Sequence, residues 1–251
     1  MEITESIFFI KLADKIIQIE PIHEYVRVYC KDYVVAEEKM NADIVVKITK
    51  EDIEYERKKS IEEDSKKSEN VRSFSDEYLE TLAVYRKIAR AMLNYNIFLF
   101  HGSVVAVDDE GYLFTAKSGT GKSTHTKLWR ELLKDSAVMV NDDKPLIKID
   151  GDRVIVYGTP YNGKHRLGNN ISVPLKALCI LTRAKENTIE EITKSEAYAM
   201  LLQQIYRPTD EEGMKKTLEC TDMLADRVKL YRLRCNMEPE AAKVAYEKMK
   251  N

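Results

Sequence analysis

Short apolar runs separated by polar breaks occupy the first part of the chain, from residue 5 to about residue 48. Four such runs are present, with the sequences SIFFIKL, KIIQI, YVRVYC and IVVKI. Apolar runs of this length between polar breaks are typical of β-strands. The pattern therefore predicts a small strand-rich N-terminal subdomain over residues 1–50.

The pattern changes sharply after residue 50. The stretch KEDIEYERKKSIEEDSKKSENVRS is dominated by charged residues, which favours a solvated linker over residues 51–72. Beyond it, apolar positions recur at helical spacing, including Leu79, Leu82 and Ala83. We therefore expect a second domain over residues 73–251 that begins with a helix.

Two short strands follow this first helix. The runs HGSVVAV and GYLFTA are separated by the turn-forming residues DDEG at positions 108–111, which is hairpin spacing. An antiparallel pairing around a four-residue turn brings Val107 close to Tyr112. In that register His101 and Gly102 lie beside Lys117 and Ser118, at the start of the loop that follows the second strand.

The stretch LFTAKSGTGKSTHTKLW contains the pattern of a phosphate-binding loop. It matches the P-loop motif G-x-x-x-x-G-K-[ST] between a strand and a helix, except that Ala116 replaces the first glycine. Gly119 and Gly121 allow successive N–H groups to turn towards phosphate oxygens, and the N-terminal end of the helix favours the same anions. The sequence therefore predicts a nucleotide site. The residues expected to bind the nucleotide are Ser118, Gly119, Thr120, Gly121, Lys122, Ser123 and Thr124.

Carboxylates follow at the end of the next strand. In the P-loop mechanism Lys122 reaches the β- and γ-phosphates, and the Ser123 hydroxyl coordinates Mg²⁺. The strand AVMV then ends near Asp142 and Asp143. A strand, loop, helix, strand unit favours a parallel crossover, which brings these carboxylates to the sheet edge that carries the loop. One carboxylate is sufficient for Mg²⁺, and the second is available as a general base.

A basic cluster and two capping patterns lie further along the chain. Lys164, His165 and Arg166 lie in the loop GTPYNGKHR. Two interpretations are open for this cluster: it binds a γ-phosphate or an acidic acceptor, or its side chains are simply solvated.

The runs DRVIVYG and LKALCIL continue the sheet. Thr193 with Glu196, and likewise Thr209 with Glu212, match the capping box that begins a helix.

Composition excludes several classes of partner. Forty Lys and Arg residues against forty-two Asp and Glu residues give a net charge of -2, which offers no attractive field for nucleic acid or an anionic membrane. The four cysteines are scattered, as in a reduced cytosolic protein, and no apolar run approaches the roughly 20 residues of a membrane span. We therefore expect a soluble, cytoplasmic protein.

The segments FHGSVVAV, AKSGTGKST and NDD, in this order and at close spacing, resemble the P-loop group that contains HPr kinase/phosphorylase and phosphoenolpyruvate carboxykinase. The resemblance implies an α/β fold with a P-loop core and a mixed sheet, in which a hairpin precedes the P-loop. It also implies catalytic roles for His101, Lys122 and Asp142, with Asp142 as the base towards an acceptor hydroxyl. His101 would assist at the phosphates or the acceptor, while Ser123 and Asp143 would hold Mg²⁺.

The sequence departs from HPr kinases in two places. Their glycine-rich, RGLG-like segment after the aspartate pair is not recognisable, and the first 70 residues do not resemble their N-terminal domain. The similarity is therefore to smaller HPr-kinase-like proteins, whose acceptors are a peptide, another protein or a small hydroxyl compound.

Three functions are compatible with this pattern. The leading hypothesis is an ATP- and Mg²⁺-dependent kinase that transfers the γ-phosphate to a serine-like hydroxyl of an unidentified acceptor. One alternative is a nucleotide-binding regulatory module without transfer, for which the Ala116 replacement is the sequence support. A general P-loop ATPase or GTPase is the other, although a Walker-B strand, an N-K-x-D motif and an arginine finger are not identifiable.

Overall fold

The computed structural model describes residues 7–36, 41–66, 72–163 and 165–251. These residues form two compact units, which divide between Ala91 and Met92. The division falls at the end of a helix, beyond the charged segment 51–72.

The described residues of the first unit form a four-stranded sheet and three α-helices. Its elements are β1 (Phe8–Leu12), β2 (Lys15–Glu20), α1 (Tyr25–Tyr29), β3 (Val34–Val35), β4 (Ile44–Lys47), α2 (Lys50–Lys66) and α3 (Asp76–Met92). The strand order is β3-β1-β2-β4, in which β1 runs antiparallel to β2 and β3, whereas β2 and β4 are parallel. Alternate residues of β1, namely Phe8, Ile10 and Leu12, are buried, as expected for a strand that covers a core with one face.

The run YVRVYC differs from its expected strand structure. It forms α1, which is closed by a hydrogen bond from the Cys30 N–H to the Val26 carbonyl at 3.0 Å. Strand preference depends on packing partners more than on the backbone itself, so a short run of β-branched and aromatic residues does not by itself specify a strand. The strand prediction was therefore wrong for this one of the four runs.

The charged segment that the sequence predicts as a linker is largely the helix α2. Its acidic residues pair with basic residues of α3: Arg86 contacts Glu56 at 2.5 Å and Asp52 at 3.2 Å, and Lys87 contacts Asp52 at 2.6 Å. These ion pairs connect α2 to α3, and the segment is helical although its composition is that of a linker. The part of the expected linker at 67–71 lies outside the described residues.

A nine-stranded mixed sheet with helices forms the second unit. Its elements are β5 (Ile97–Leu99), β6 (Ser103–Val107), β7 (Glu110–Thr115), α4 (Lys122–Leu133), β8 (Ala137–Asn141), β9 (Leu146–Asp150), β10 (Arg153–Tyr157), β11 (Ser172–Arg183), β12 (Thr188–Glu191), α5 (Lys194–Gln204), α6 (Glu211–Arg227), β13 (Lys229–Cys235) and α7 (Glu240–Met249). The order is β5-β9-β10-β11-β7-β6-β8, and β13 pairs with both β11 and β12. Strand β11 is parallel to β7 and β13, and the other pairs are antiparallel. The fold is therefore α/β with mixed sheets.

The hairpin of β6 and β7 has a tighter turn than the sequence predicts. Val107 pairs with Glu110 rather than with Tyr112, so the register is shifted by two residues from the expected one. Asp108 and Asp109 alone form the turn, with φ values of 51° and 60°. Aspartate tolerates this left-handed conformation, which matches the twist of the adjoining strands, so the two-residue turn is preferred.

Strand directions bring two chain segments to one edge of the sheet. Strand β6 lies between β7 and β8 and is antiparallel to both, so β7 and β8 run in the same direction. The loop after β7 and the residues after β8 therefore leave the sheet at the same edge, as the predicted crossover requires.

Helices cover both faces of this sheet. Residues of α5 and α6, including Leu201 and Leu224, pack into one core, while Trp129 of α4 and Ala245 of α7 pack into the other. The ring of Trp129 lies 5.0 Å from that of Phe114 on β7. Burial on both faces explains why β6 and β7 are almost continuously apolar. No helix within the described residues is both long and apolar enough to cross a membrane.

The two predicted capping boxes have different outcomes. At the start of α5, Glu196 N–H donates to Thr193 Oγ1 and Thr193 N–H donates to the Glu196 carboxylate, which confirms the first box. At α6 the cap is Asp210, which accepts from the Gly213 N–H at 2.8 Å, so the assignment to Thr209 was wrong by one residue. Aspartate is as good an N-cap as threonine or better, which explains the shift.

Candidate functional site

The glycine loop, defined here as residues 116–121, connects β7 to α4. Gly119 and Gly121 have φ values of +76° and +119°, which side chains with a Cβ rarely adopt. Ala116 is buried and its φ is not positive, so its methyl group fits without backbone strain. The alanine in place of the first glycine is thus compatible with the conformation of the loop.

Arg183, at the end of β11, binds the outside of the glycine loop. Its Nε donates to the Thr120 carbonyl at 3.4 Å, and its Nη2 donates to the Gly119 carbonyl. These bonds occupy two carbonyl groups and restrict the loop backbone. Sequence reasoning missed Arg183, because only the parallel pairing of β11 with β7 brings this distant residue to the loop.

Helix α4 starts directly after the loop, at Lys122. The first helical hydrogen bond joins His125 N–H to the Gly121 carbonyl at 2.9 Å. Ser103 of β6 donates to Thr126 Oγ1 at 3.2 Å and ties the first turn of the helix to the sheet. Burial lowers the pKa of Lys122, and the negative charge of Asp143 opposes that effect. The Lys122 ammonium is thus partly withdrawn from water and lies close to an acidic partner.

Asn141 shapes the turn that follows β8. It is fully buried, and its Oδ1 accepts from the N–H groups of Asp143 at 2.9 Å and Lys144 at 2.7 Å. Its Nδ2 donates to Thr159 Oγ1 at 3.0 Å. Sequence reasoning did not assign this role, although an asparagine just before two turn residues is the signal of such an Asx-type turn.

The carboxylate of Asp142 is held by the loop after β10. Its Oδ1 accepts from the Gly163 N–H, and a Cβ at Gly163 would lie 2.9 Å from Oδ2, so a larger residue there would displace the carboxylate. Burial raises the pKa of Asp142 and the negative charge of Asp143 adds to the effect, while the Gly163 bond and the His165 charge act in the opposite direction. The net result is a pKa above the usual range. Gly163 is a third residue, after Arg183 and Asn141, whose role sequence reasoning did not assign.

Asp143 has the opposite electrostatic balance. Burial alone would raise its pKa, but a hydrogen bond from His101 and the charges of Lys144, His101 and Lys122 together hold the pKa below its usual value. His101 Nε2 lies 3.3 Å from Asp143 Oδ1. The two adjacent carboxylates therefore differ in proton affinity, and Asp143 is the one held as an anion.

The glycine loop, the first turn of α4 and the two aspartates line a common cavity of about 400 Å³, here called the aspartate cavity. Its lining residues are Gly119, Gly121, Lys122, Ser123, Thr124, Asp142, Asp143 and Gly163. Most of the predicted site residues thus come together. Ser118 and Thr120 do not line this cavity, and His101 reaches it only through its contact with Asp143.

The predicted basic cluster is not part of this lining. Lys164 lies outside the described residues, and His165 and Arg166 are exposed and do not line the cavity. His165 acts on the site only through its charge, which lowers the pKa of Asp142.

The oxygen donors of the cavity suit Mg²⁺. Ser123 and Asp143 line it together, and magnesium in nucleotide sites is bound by one or two carboxylates plus phosphate oxygens. In the described part of the chain, no group of three or more His, Cys, Asp or Glu side chains is arranged to hold a metal ion. A Mg²⁺ ion that is bound together with a nucleotide needs no such group, because the phosphate oxygens supply further ligands.

Comparisons with known proteins give one family match. A model described as SynChlorMet cassette protein ScmC matches residues 66–242. No curated protein matches the sequence. Among solved structures, the Hpr(Ser) kinase/phosphatase from Coxiella burnetii is similar with a TM-score of 0.33 and 10% identity, over 61% of this chain and 99% of that one. Because the family model spans well over half of the chain, the protein belongs to the ScmC family.

Proposed function

We propose that this protein is an ATP- and Mg²⁺-dependent kinase that transfers the γ-phosphate to a serine-like hydroxyl of a protein, a peptide or a small molecule. The observation that carries the proposal is the shared cavity, in which Lys122 and Ser123 at the start of α4 face the same space as Asp142 and Asp143. A cation, a hydroxyl and two carboxylates beside a glycine loop are the groups that phosphoryl transfer from a nucleotide requires.

Each group has a distinct role in this proposal. The glycine loop N–H groups and Lys122 hold the triphosphate and offset its charge, which is where most of the rate enhancement of phosphoryl transfer arises. Ser123 and Asp143 would hold Mg²⁺, which neutralises charge on the phosphates when bound. His101 keeps Asp143 anionic and oriented.

Asp142 is assigned as the general base. The acceptor oxygen forms a bond to the γ-phosphorus, the bond from that phosphorus to the β–γ bridging oxygen breaks, and ADP leaves. The hydroxyl proton passes to the Asp142 carboxylate. Its hydrogen bond from Gly163 fixes the orientation of the carboxylate for this task. Such base catalysis contributes about 10²–10⁴-fold in rate.

The test compares ADP formation by the wild-type protein and by Asp142→Asn. Each protein is incubated with Mg–ATP, with and without a fractionated cell extract, and Kd for Mg–ATP is measured by calorimetry. The control is Asp109→Asn, at a turn position where asparagine tolerates the positive φ equally well. We expect extract-dependent ADP formation by the wild type and the control, none by Asp142→Asn, and similar Kd values for all three.

Two results would contradict the proposal. Tight Mg–ATP binding without ADP formation in any fraction would favour the silent regulatory module. Equal turnover by Asp142→Asn and the wild type would remove the base from this position, because the amide cannot accept the proton.

A further inference from the structure

Residues 163–166, here called the basic turn, lie in the loop that follows β10. The Arg166 N–H donates to the Gly163 carbonyl at 3.0 Å, which is the bond between first and fourth residues that closes a β-turn. The Cα atoms of these two residues therefore lie within about 7 Å of each other. Because the Gly163 N–H also binds the Asp142 carboxylate, the turn is held directly beside the proposed base.

The loop is anchored to the sheet on both sides of the basic turn. Before the turn, Thr159 Oγ1 accepts from Asn141 Nδ2 at 3.0 Å. After it, the Asn169 N–H donates to the Val140 carbonyl at 3.1 Å. Both partners belong to the end of β8, the strand that leads into the aspartate pair. The position of the turn relative to the aspartates is therefore set by the fold.

Two basic side chains of this turn face solvent. His165 and Arg166 are exposed, and neither lines the aspartate cavity. His165 is nevertheless close to the base: burial raises the pKa of Asp142, and the charge of His165 acts against that effect. These cations thus lie outside the space proposed for the triphosphate but next to the carboxylate that receives the acceptor proton. They are placed to meet the acceptor rather than the γ-phosphate.

The backbone of Arg166 is in the left-handed region. Its φ is 47°, a conformation that glycine, asparagine and aspartate adopt more easily than residues with long side chains. Bulky residues kept in such a conformation cost free energy and cluster at functional sites. An arginine at a position where asparagine or glycine costs less therefore indicates that the guanidinium itself is used.

The charges around the base determine which acceptor needs this turn. An anionic acceptor is repelled by the triphosphate and by the carboxylates of Asp142 and Asp143, so it requires positive charge close to the point of transfer. A guanidinium also presents a planar set of donors that matches the two oxygens of a carboxylate. A cationic acceptor, in contrast, would be repelled by the basic turn.

We propose that the basic turn binds a carboxylate of the acceptor, and that the substrate is an acidic hydroxyl compound. Its carboxylate would lie about 7 Å or less from the reacting hydroxyl, which is the width of the turn. An extended peptide spans about 3.3–3.6 Å per residue, so in a peptide the acidic residue would lie about two positions from the serine. The inference rests on the proposed function, because it takes Asp142 as the base that marks the position of the hydroxyl.

The test uses two matched pairs of acceptors with radiolabelled Mg–ATP and the whole chain. The first pair is a short serine peptide with either glutamate or glutamine two positions from the serine. The second pair is glycerate and glycerol. In at least one pair, kcat/KM for the acidic member should be about 10–150-fold higher, the value of one charge-assisted hydrogen bond. The pair that responds shows whether the acceptor is a peptide or a small hydroxy acid.

Two variants assign this preference to the turn. Arg166→Asn removes the cation and keeps the fold, because asparagine tolerates the positive φ. This variant and His165→Gln should each lower kcat/KM for the acidic acceptor, by about tenfold or more for Arg166→Asn, and leave the uncharged acceptor and Kd for Mg–ATP unchanged. Arg166→Lys should retain part of the preference. The control is Arg153→Gln, because this side chain is 74% exposed at the opposite end of β10, and it should change none of these values.

The outcomes separate this inference from the proposed function. Equal kcat/KM for the acidic and uncharged members of both pairs would overturn the inference. A preference for the acidic member that persists in both variants would overturn it as well. So would transfer to neither acidic acceptor by a protein that forms ADP with cell extract. Failure to bind Mg–ATP, or to form ADP with any acceptor or extract, would instead refute the proposed function.

Discussion

The strand-end turn at Asn141 provides a sharp test of how the aspartate pair is positioned. The perturbation is Asn141→Ala, which removes the acceptor of the Asp143 and Lys144 N–H groups and the donor to Thr159. Asn141 is fully buried, whereas the two N–H groups belong to partly buried residues that water can approach. The turn should therefore loosen and let water reach the Asp143 and Lys144 N–H groups, so that these donors are not left buried without a partner.

The expected loss of stability follows from these bonds. Each of the two N–H groups loses about 1 kcal/mol when its acceptor disappears, and the bond to Thr159 together with the truncated side-chain volume adds about 1–2 kcal/mol. The free energy of unfolding should fall by about 3–4 kcal/mol. Urea denaturation at pH 7 measures this change, and an unaltered m-value would show that the unfolding transition still exposes the same surface.

The matched control is Asn169→Ala. Asn169 is exposed, and its side chain donates to the Met139 carbonyl at 2.8 Å. Its replacement should cost about 1 kcal/mol or less, because solvent can take the place of a single bond. A loss for Asn141→Ala no larger than that of the control would refute the idea that this buried amide organises the turn.

Three further predictions concern the loop and its helix. Lys122→Ala should raise Kd for Mg–ATP about 10–150-fold, the value of one charge-assisted hydrogen bond to phosphate, in isothermal titration calorimetry. Arg183→Met should weaken tripolyphosphate binding about fivefold by loosening the glycine loop, with partial recovery in Arg183→Lys. His125→Gln should flatten the pH dependence of stability, measured through the fluorescence of Trp129, the only tryptophan in the sequence.

The sign of the last prediction follows from the pKa of His125. Burial moves it from 6.5 to about 4, so the folded state keeps the ring neutral. Its contribution is complete above pH 6.5 and is lost as the pH falls from 6.5 towards 4. The shift corresponds to about 3 kcal/mol. Between pH 6.5 and 4 the free energy of unfolding should therefore fall by about 3 kcal/mol more in the wild type than in the variant. Parallel stability curves for the two proteins would show that the ring is not held neutral.

The control for Lys122→Ala is Lys127→Ala on the same helix. Lys127 is exposed and pairs only loosely with Glu131, at 3.5 Å, so its loss should leave Kd unchanged. A comparable rise in Kd for both variants would mean that general positive charge, and not contact with phosphate, governs binding. Unchanged tripolyphosphate affinity in Arg183→Met would likewise show that the loop keeps its shape without the guanidinium.

Local sequence was sufficient for the glycine loop and its surroundings. The motif lies between β7 and α4 as predicted, because the glycines, the apolar strand and the amphipathic helix are all local properties of the chain. The capping box at Thr193 was equally readable, since both of its partners lie within four residues. The predicted hairpin register was wrong because several turns fit the same local sequence. In DDEG, each pair of neighbouring residues is able to occupy the two central positions of the turn.

Tertiary structure decided the parts of the site that depend on distant partners. Gly163 contacts Asp142, Arg183 contacts Gly119, and Asn141 contacts Thr159. In each case the partner lies far along the chain, so only the folded structure shows the contact. Likewise, the ion pairs that join the charged segment to Arg86 and Lys87 of α3 depend on partners about 30 residues away, which its local sequence does not reveal. The sequence by itself determined which groups of the proposed chemistry are present and where the loop lies. The tertiary structure determined their protonation and orientation, because burial and hydrogen-bond partners exist only once the sheet has assembled.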